Sequence, residues 1–238
     1  MNIILIPGFW LDGSSWDGIV PALEQAGLRT HALTLPGMES RTAERSKITL
    51  RNHVDAVVSV IDSLDPAGKV VLVGHSGGGA VAHAAVDARP DRVARVVYVD
   101  SGPLGEGGVI NDELPSDNGE IPLPDWSLFD EADLTDLDDA LRAEFRARAI
   151  PTPLHVACDP QQLSDERRYD VPVTVIACEI PSAVLRDWIA QGHPYVRELA
   201  RIHDVTYLDL PTGHWPQFTR PEELGRAILT AVTAVPAG

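Results

Sequence analysis

An α/β fold, doubly wound about a mostly parallel six-stranded sheet with an insertion after the fourth strand, is predicted by three features of the 238-residue chain. Short apolar runs alternate with stretches of helical periodicity. The runs are continuous rather than alternating, as strands covered on both faces require. Between the fourth and fifth runs the pattern gives way to an acidic stretch rich in proline and glycine.

Asn2–Ile6 reads as the first buried strand and "SSWDGIVPALEQAG" as a helix ending at Gly27. Residues 28–35 form the second strand, closed by Pro36-Gly37. Leu50, Val54, Val57, Val58, Ile61 and Leu64 then recur at helical spacing and make one apolar face. Residues 70–73 are β-branched at three positions of four, which suits a central strand. A small-residue helix is expected over Gly77–Ala88 and a fourth strand over Val93–Val99. Residues 103–169 are the insertion, expected to lie as a lid over the strand ends, with one helical piece near 137–149. "VPVTVIAC" and "VTYLDL" are the last two strands, with helical segments between 182 and 202. The final helix opens at "TRPEEL", where Thr219 and Glu222 have capping-box spacing and Pro221 suits an early helical position. Residues 1–238 read as a single domain.

Composition narrows the function. Hydrophobic content of 44% with 23% charged residues is ordinary for a globular protein. A net charge of −16 argues against a nucleic-acid partner and against docking on an anionic membrane. Residues 104–140 hold twelve Asp or Glu and no Lys or Arg. That run reads either as a solvated surface or as an acidic lid that selects against anionic substrates. Cys158 and Cys178 are too few for a disulfide framework. The opening "MNIILIPGFW" has neither the basic start nor the apolar length of a secretion signal or membrane span. A cytoplasmic protein acting on a small-molecule substrate is expected, with a homo-oligomer left open.

"VVLVGHSGGGAVAHAA" places four glycines in the six residues 74–79, around a single serine. Glycine inside an element costs roughly 0.5–1 kcal/mol relative to alanine, so this clustering marks a backbone requirement. Gly74-His75-Ser76-Gly77-Gly78 fits G-x-S-x-G, a sharp strand-to-helix turn that leaves a serine hydroxyl projecting at the carboxyl edge of the sheet. The Gly77 amide, at the helix start, points at the same spot. A serine hydroxyl needs a base. Of the eight histidines, His31 lies in a strand, His53 and His83 lie in helices, His75 faces away at the turn, and His155 and His203 have no motif. His193 in "QGHPY" is one loop histidine; His214 in "DLPTGHWPQF" follows the last strand and is the better placed.

With that context the chain resembles the α/β-hydrolase superfamily over nearly its whole length, in a compact six-stranded form. The resemblance implies a Ser76–His214 pair completed by a carboxylate. Asp100, ending the strand beside the one that carries Ser76, and Glu179, ending the following strand, both stand at family positions; Asp187 falls inside a helix. Asp100 is favoured, with the alternative that it is a turn former bonding the Ser101 and Gly102 amides. The resemblance also nominates the Phe9 amide, in Pro7-Gly8-Phe9-Trp10, as the oxyanion-hole partner of Gly77, with a role for Phe9 as pocket wall only left open. Trp10, Trp126, Phe129 and Trp188 are the aromatics available to line a substrate pocket, Trp10 and Trp126 foremost.

The implied activity is hydrolysis of a small or medium neutral ester, lactone or thioester through an acyl-enzyme, with no metal or organic cofactor. Perhydrolysis, carbon–carbon or amide hydrolysis and a lyase reaction remain open on the same scaffold, as does a non-catalytic ligand-binding protein.

Overall fold

Alternation along strand β1 (Asn2–Ile6) sets the architecture. Ile4 and Ile6 enter one hydrophobic cluster, Ile3 and Leu5 enter a second, and all four are fully buried. A strand buried on both faces needs a helical layer on each. The computed structural model, which describes residues 1–233, has those layers. On one face lie α2 (Leu50–Ser63) and α3 (Gly77–Ala88), contributing Val54, Val57, Ile61, Val81 and Ala85. On the other lie α1 (Val20–Gln25) and α8 (Pro221–Thr233), contributing Leu23, Leu224 and Ile228.

The remaining strands are β2 (Arg29–Ala32), β3 (Val70–His75), β4 (Val93–Val99), β5 (Val173–Ala177) and β6 (Val205–Asp209). They lie in the order β2-β1-β3-β4-β5-β6, and every neighbouring pair is parallel. From β1 the chain steps to β2 on one side and then crosses to β3 on the other. The carboxyl ends of β1 and β3 therefore flank a topological switch point, where open sheets of this kind place their ligands.

Three boundaries differ from expectation, each for a local reason. The helix expected across residues 14–27 is a 3-10 turn, Gly13–Trp16, followed by α1. Pro21 has no amide hydrogen to bond backward and so must sit in the first helical turn. β2 stops at Ala32 rather than at residue 35, because β1, its sole partner, runs out at Pro7; Leu35 is buried as a packing residue instead. α8 opens at Pro221 as expected, but the Thr219 hydroxyl meets Thr212 Oγ1 at 2.9 Å and donates to the Trp215 carbonyl at 3.3 Å instead of capping it.

Between β4 and β5 the chain forms a two-residue antiparallel ladder, Glu120–Ile121 against Thr152–Pro153, and two helices, α4 (Asp139–Arg148) and α5 (Leu154–Cys158). Of the twelve acidic residues at 104–140, all but Glu120 and Asp133 are exposed, so that run is chiefly a solvated surface. Two helices complete the chain: α6 (Ser182–Gln191), and α7 (Pro216–Thr219) just before α8.

Leu72 is fully buried in the central strand, whereas Leu128 is 66% exposed. Leu72→Ala is therefore expected to lower unfolding free energy by about 2–5 kcal/mol in urea titrations. Leu128→Ala should stay within about 0.5 kcal/mol of the parent.

Candidate active site

β3 ends at His75 and α3 begins at Gly77, which leaves Ser76 alone to reverse the chain. It does so at φ 52° and ψ −129°, a conformation that side chains other than glycine rarely adopt. The strain is held from both sides: the Ser76 amide donates to the Val99 carbonyl at 3.2 Å, and Ser101 Oγ donates to the Ser76 carbonyl at 2.6 Å. The turn also demands close backbone approach. A Cβ on Gly74 would lie 2.6 Å from the Gly78 oxygen, and one on Gly78 would lie 2.6 Å from the carbonyl oxygens of both Ile6 and Pro7. Glycine at these two positions lets β1, β3 and α3 meet.

His214 Nε2 lies 2.8 Å from Ser76 Oγ, and His214 Nδ1 lies 2.7 Å from Asp100 Oδ2. An ionised carboxylate can only accept, so Nδ1–H donates to Asp100 and leaves Nε2 to accept from the serine hydroxyl. Asp100 is itself fixed. It sits at φ 41°, and its Oδ1 accepts from the amides of Cys178 and Glu179 at 3.2 and 3.0 Å, rather than from the Ser101 and Gly102 amides of its own turn. The ring of His214 thus hydrogen-bonds to Asp100, whereas Glu179 only stands nearby. Burial alone would raise the Asp100 carboxyl, but the His214 hydrogen bond and charge and the Glu179 amide outweigh it and hold it below its ordinary value. For His214, burial pulls downward, and Asp100, with Asp133 and Glu179 behind it, wins and raises the imidazole. Glu179 is pushed the other way, up to about 7, mainly by burial and by the neighbouring Asp133 carboxyl. A carboxyl disfavoured in its charged form is a poorer orienter of an imidazole than Asp100, which is held ionised.

The loop carrying His214 is anchored by groups that no sequence motif marks. The Gly213 and His214 amides donate to the carbonyls of Thr135 and Asp133, at 3.2 and 2.8 Å, so the insertion itself grips the loop. His75 does face away from the cleft, but its fully buried ring turns beneath the site, where Nε2–H donates to the His214 carbonyl at 2.7 Å. Burial, with the nearby His214, takes its pKa down to about 3, so it is a neutral donor at working pH. Trp215, 1% exposed, packs edge-on against His214, Phe129 and Phe145.

Among the described residues, the amides of Phe9 and Gly77 have no hydrogen-bond partner, whereas the adjacent Trp10 amide is taken by Thr152 Oγ1 at 2.9 Å. The Phe9 ring lies against Gly77. Ser76, Phe9, Gly77 and His214 open onto a cleft of about 840 Å³ whose walls include Trp10 and Phe129. Trp126 does not line it. Its ring is wedged behind Phe129, against Phe145 and Trp215, so the expected pocket residue is a packing residue. Trp188 stacks on His193, also outside the cleft.

Among the described residues, one grouping of three metal-ligating side chains occurs: Asp100, Glu179 and His214, within 4.8 Å of one another. Both ring nitrogens of His214 are already engaged, by Asp100 and by Ser76, so the donor set fits a hydrogen-bonded chain better than a metal.

The chain matches the alpha/beta hydrolase family model over residues 3–227. It belongs to that family. A pyrethroid hydrolase of Sphingobium wenxiniae is 32% identical over 256 residues, covering 95% of this chain and 86% of that protein. A putative chloroplastic methylesterase of Arabidopsis thaliana is 24% identical over 265 residues, covering 99% of this chain but only 57% of that protein. Matches to three other Arabidopsis methylesterases take in 24–37% of their lengths. Among solved structures, an extracellular alpha/beta-hydrolase from a Paenibacillus species superposes with a TM-score of 0.76 at 20% identity, covering 97% of this chain and 98% of that one. An Arabidopsis methylesterase does so with a TM-score of 0.76 at 18% identity, covering 98% and 99%. At such identities the superpositions speak for the fold.

Removing the donor to the His214 carbonyl should loosen the imidazole without touching the cleft. His75→Leu is expected to lower kcat on any turned-over substrate about tenfold with KM little changed, and His75→Gln, which keeps a donor, to recover most of the loss. Steady-state kinetics of the two variants beside their melting temperatures check this.

Proposed function

We propose that the protein hydrolyses small or medium neutral carboxylic esters, lactones or thioesters through a covalent acyl-enzyme formed on Ser76. The observation that carries this reading is the unbroken hydrogen-bond chain from Asp100 through His214 to Ser76, at 2.7 and 2.8 Å, opening onto a large cleft. The relatives named above as methylesterases and as a pyrethroid hydrolase support ester substrates.

In this mechanism Ser76 Oγ attacks the carbonyl carbon as His214 Nε2 takes its proton. Asp100 keeps the imidazole in the tautomer with Nδ1 protonated and stabilises the imidazolium. The carbonyl oxygen becomes an oxyanion between the free amides of Phe9 and Gly77, where α3 begins and its partial positive charge helps. The tetrahedral intermediate collapses, His214 hands its proton to the leaving alcohol or thiol, and the acyl group stays on Ser76. Water, deprotonated by His214, then repeats the attack, and the acid departs with Ser76 reprotonated. Asp133 and Glu106 on the cleft wall and the acidic surface around it disfavour anionic esters.

A fluorophosphonate probe should label wild-type protein at one site, Ser76, and leave Ser76→Ala unlabelled; full ester turnover by Ser76→Ala would refute the assignment. The pH dependence is a second check. Protonated His214 cannot accept the serine proton, so activity is lost as pH falls through its pKa. Because Asp100 raises that pKa, the acid limb of kcat/KM is expected above the ordinary histidine value of 6.5.

A further inference from the structure

The cleft runs on past the serine to a second polar feature. Glu198, between the 3-10 turns Pro194–Val196 and Leu199–Arg201, is 8% exposed and lines the same cleft as Ser76. Its two oxygens are used unequally. Oε1 accepts from His83 Nε2 at 3.0 Å, Arg168 Nε at 3.1 Å and Tyr169 Oη at 2.9 Å. Among the described residues Oε2 accepts nothing; the nearest cation, Arg201 Nη1, stands at 3.9 Å. This oxygen is not sealed in the interior with the first; it is left open on the cleft wall.

Two observations set it apart from an ordinary hydrated oxygen. Gly105, on the insertion, faces that oxygen, and a Cβ there would stand 3.1 Å from Oε2, so the glycine keeps it uncovered. The carboxylate is also immobilised: His83 is held by the Tyr98 hydroxyl at 3.0 Å, and Arg168 by Asp87 at 3.2 Å. An acceptor held this firmly needs little reorganisation to bind a donor. His83 follows Ser76 by seven residues along α3, roughly 10 Å at the helical rise. The residue that holds Glu198 thus stands about two helical turns beyond the serine.

We infer that the far end of the cleft is a subsite for a neutral hydrogen-bond donor on the substrate, a hydroxyl or amide N–H that Glu198 Oε2 accepts while Ser76 attacks the carbonyl. Immediately around Glu198 the charges are already matched, which suits a neutral donor there even though Asp133 and Glu106 make the cleft wall as a whole acidic. Glu198 and Asp87 are already answered by Arg168 and Arg201, and Arg197 on the same cleft wall would repel an ammonium. Burial would raise the Glu198 carboxyl, but the bonds from His83, Tyr169 and Arg168 bring it down to about 2. The acceptor is thus ionised throughout the range in which His214 works.

This subsite rests on the ester-hydrolase reading, and its test separates the two. A chain-length series of p-nitrophenyl alkanoates is compared with its ω-hydroxy and ω-ammonium counterparts, and alkyl acetates with ω-hydroxyalkyl acetates. Within a window of lengths, the hydroxy ester is expected to exceed its methyl-ended partner in kcat/KM by about tenfold, and the ammonium ester not to. Glu198→Gln would disturb the buried network, so the variant is Gly105→Ala, whose methyl covers Oε2 and should bring the hydroxy-to-methyl ratio near unity. Methyl-ended esters preferred at every length, in both series, would overturn the subsite while leaving the hydrolase intact. Turnover of no ester would overturn the hydrolase; calorimetric binding of the same pairs to Ser76→Ala then decides the subsite, equal affinities overturning it.

Discussion

A 2.7 Å hydrogen bond between Asp100 and His214, residues 114 apart in sequence, is the interaction on which the rest of the site depends. It fixes the imidazole tautomer, sets its basicity and aims Nε2 at Ser76. The sheet makes it possible. β4 lies between β3 and β5, so Asp100 at the tip of β4 stands beside Ser76 on one side and the Cys178 and Glu179 amides on the other. Those two amides hold one carboxylate oxygen, and the other is left for the histidine.

The geometry is kept at a cost in backbone strain. Of the five non-glycine residues with positive φ among the described residues, three are Trp10, Ser76 and Asp100. Each such conformation costs on the order of 1–3 kcal/mol and persists only where its surroundings over-determine it. Here they do. Trp10 is bonded at its amide to Thr152 and at its indole to the Ile121 carbonyl, Ser76 is pinned through Val99 and Ser101, and Asp100 continues the ladder to Ile176. The insertion closes the arrangement, since the carbonyls of Asp133 and Thr135 hold the histidine loop and Trp215 packs beneath its aromatics. It is part of the site's framework.

Much of this was legible in the chain. Continuous apolar runs demanded a two-sided sheet, and glycines flanking Ser76 announced a turn that only close backbone contact requires. His214 followed from its place after the last strand. What stayed hidden depends on partners distant in sequence. Asp100 and Glu179 both end strands, and only packing decides which one bonds to the ring and which one lies beside Asp133 with its carboxyl pushed up. Trp126 carries no local mark separating a pocket wall from a wedge behind Phe129. Nothing in the sequence near His75 foretells the carbonyl 139 positions later that its ring reaches. Glu198 sits among short 3-10 turns with no periodicity, and its burial is set by His83 and Arg168 from elsewhere in the fold.

The most direct test of the Asp100–His214 pairing is proton NMR of the imidazole Nδ1–H. A downfield resonance from this hydrogen bond is expected in the wild-type protein and in Glu179→Gln, and its disappearance in Asp100→Asn. Persistence of the resonance in Asp100→Asn, or its loss in Glu179→Gln, would contradict the pairing.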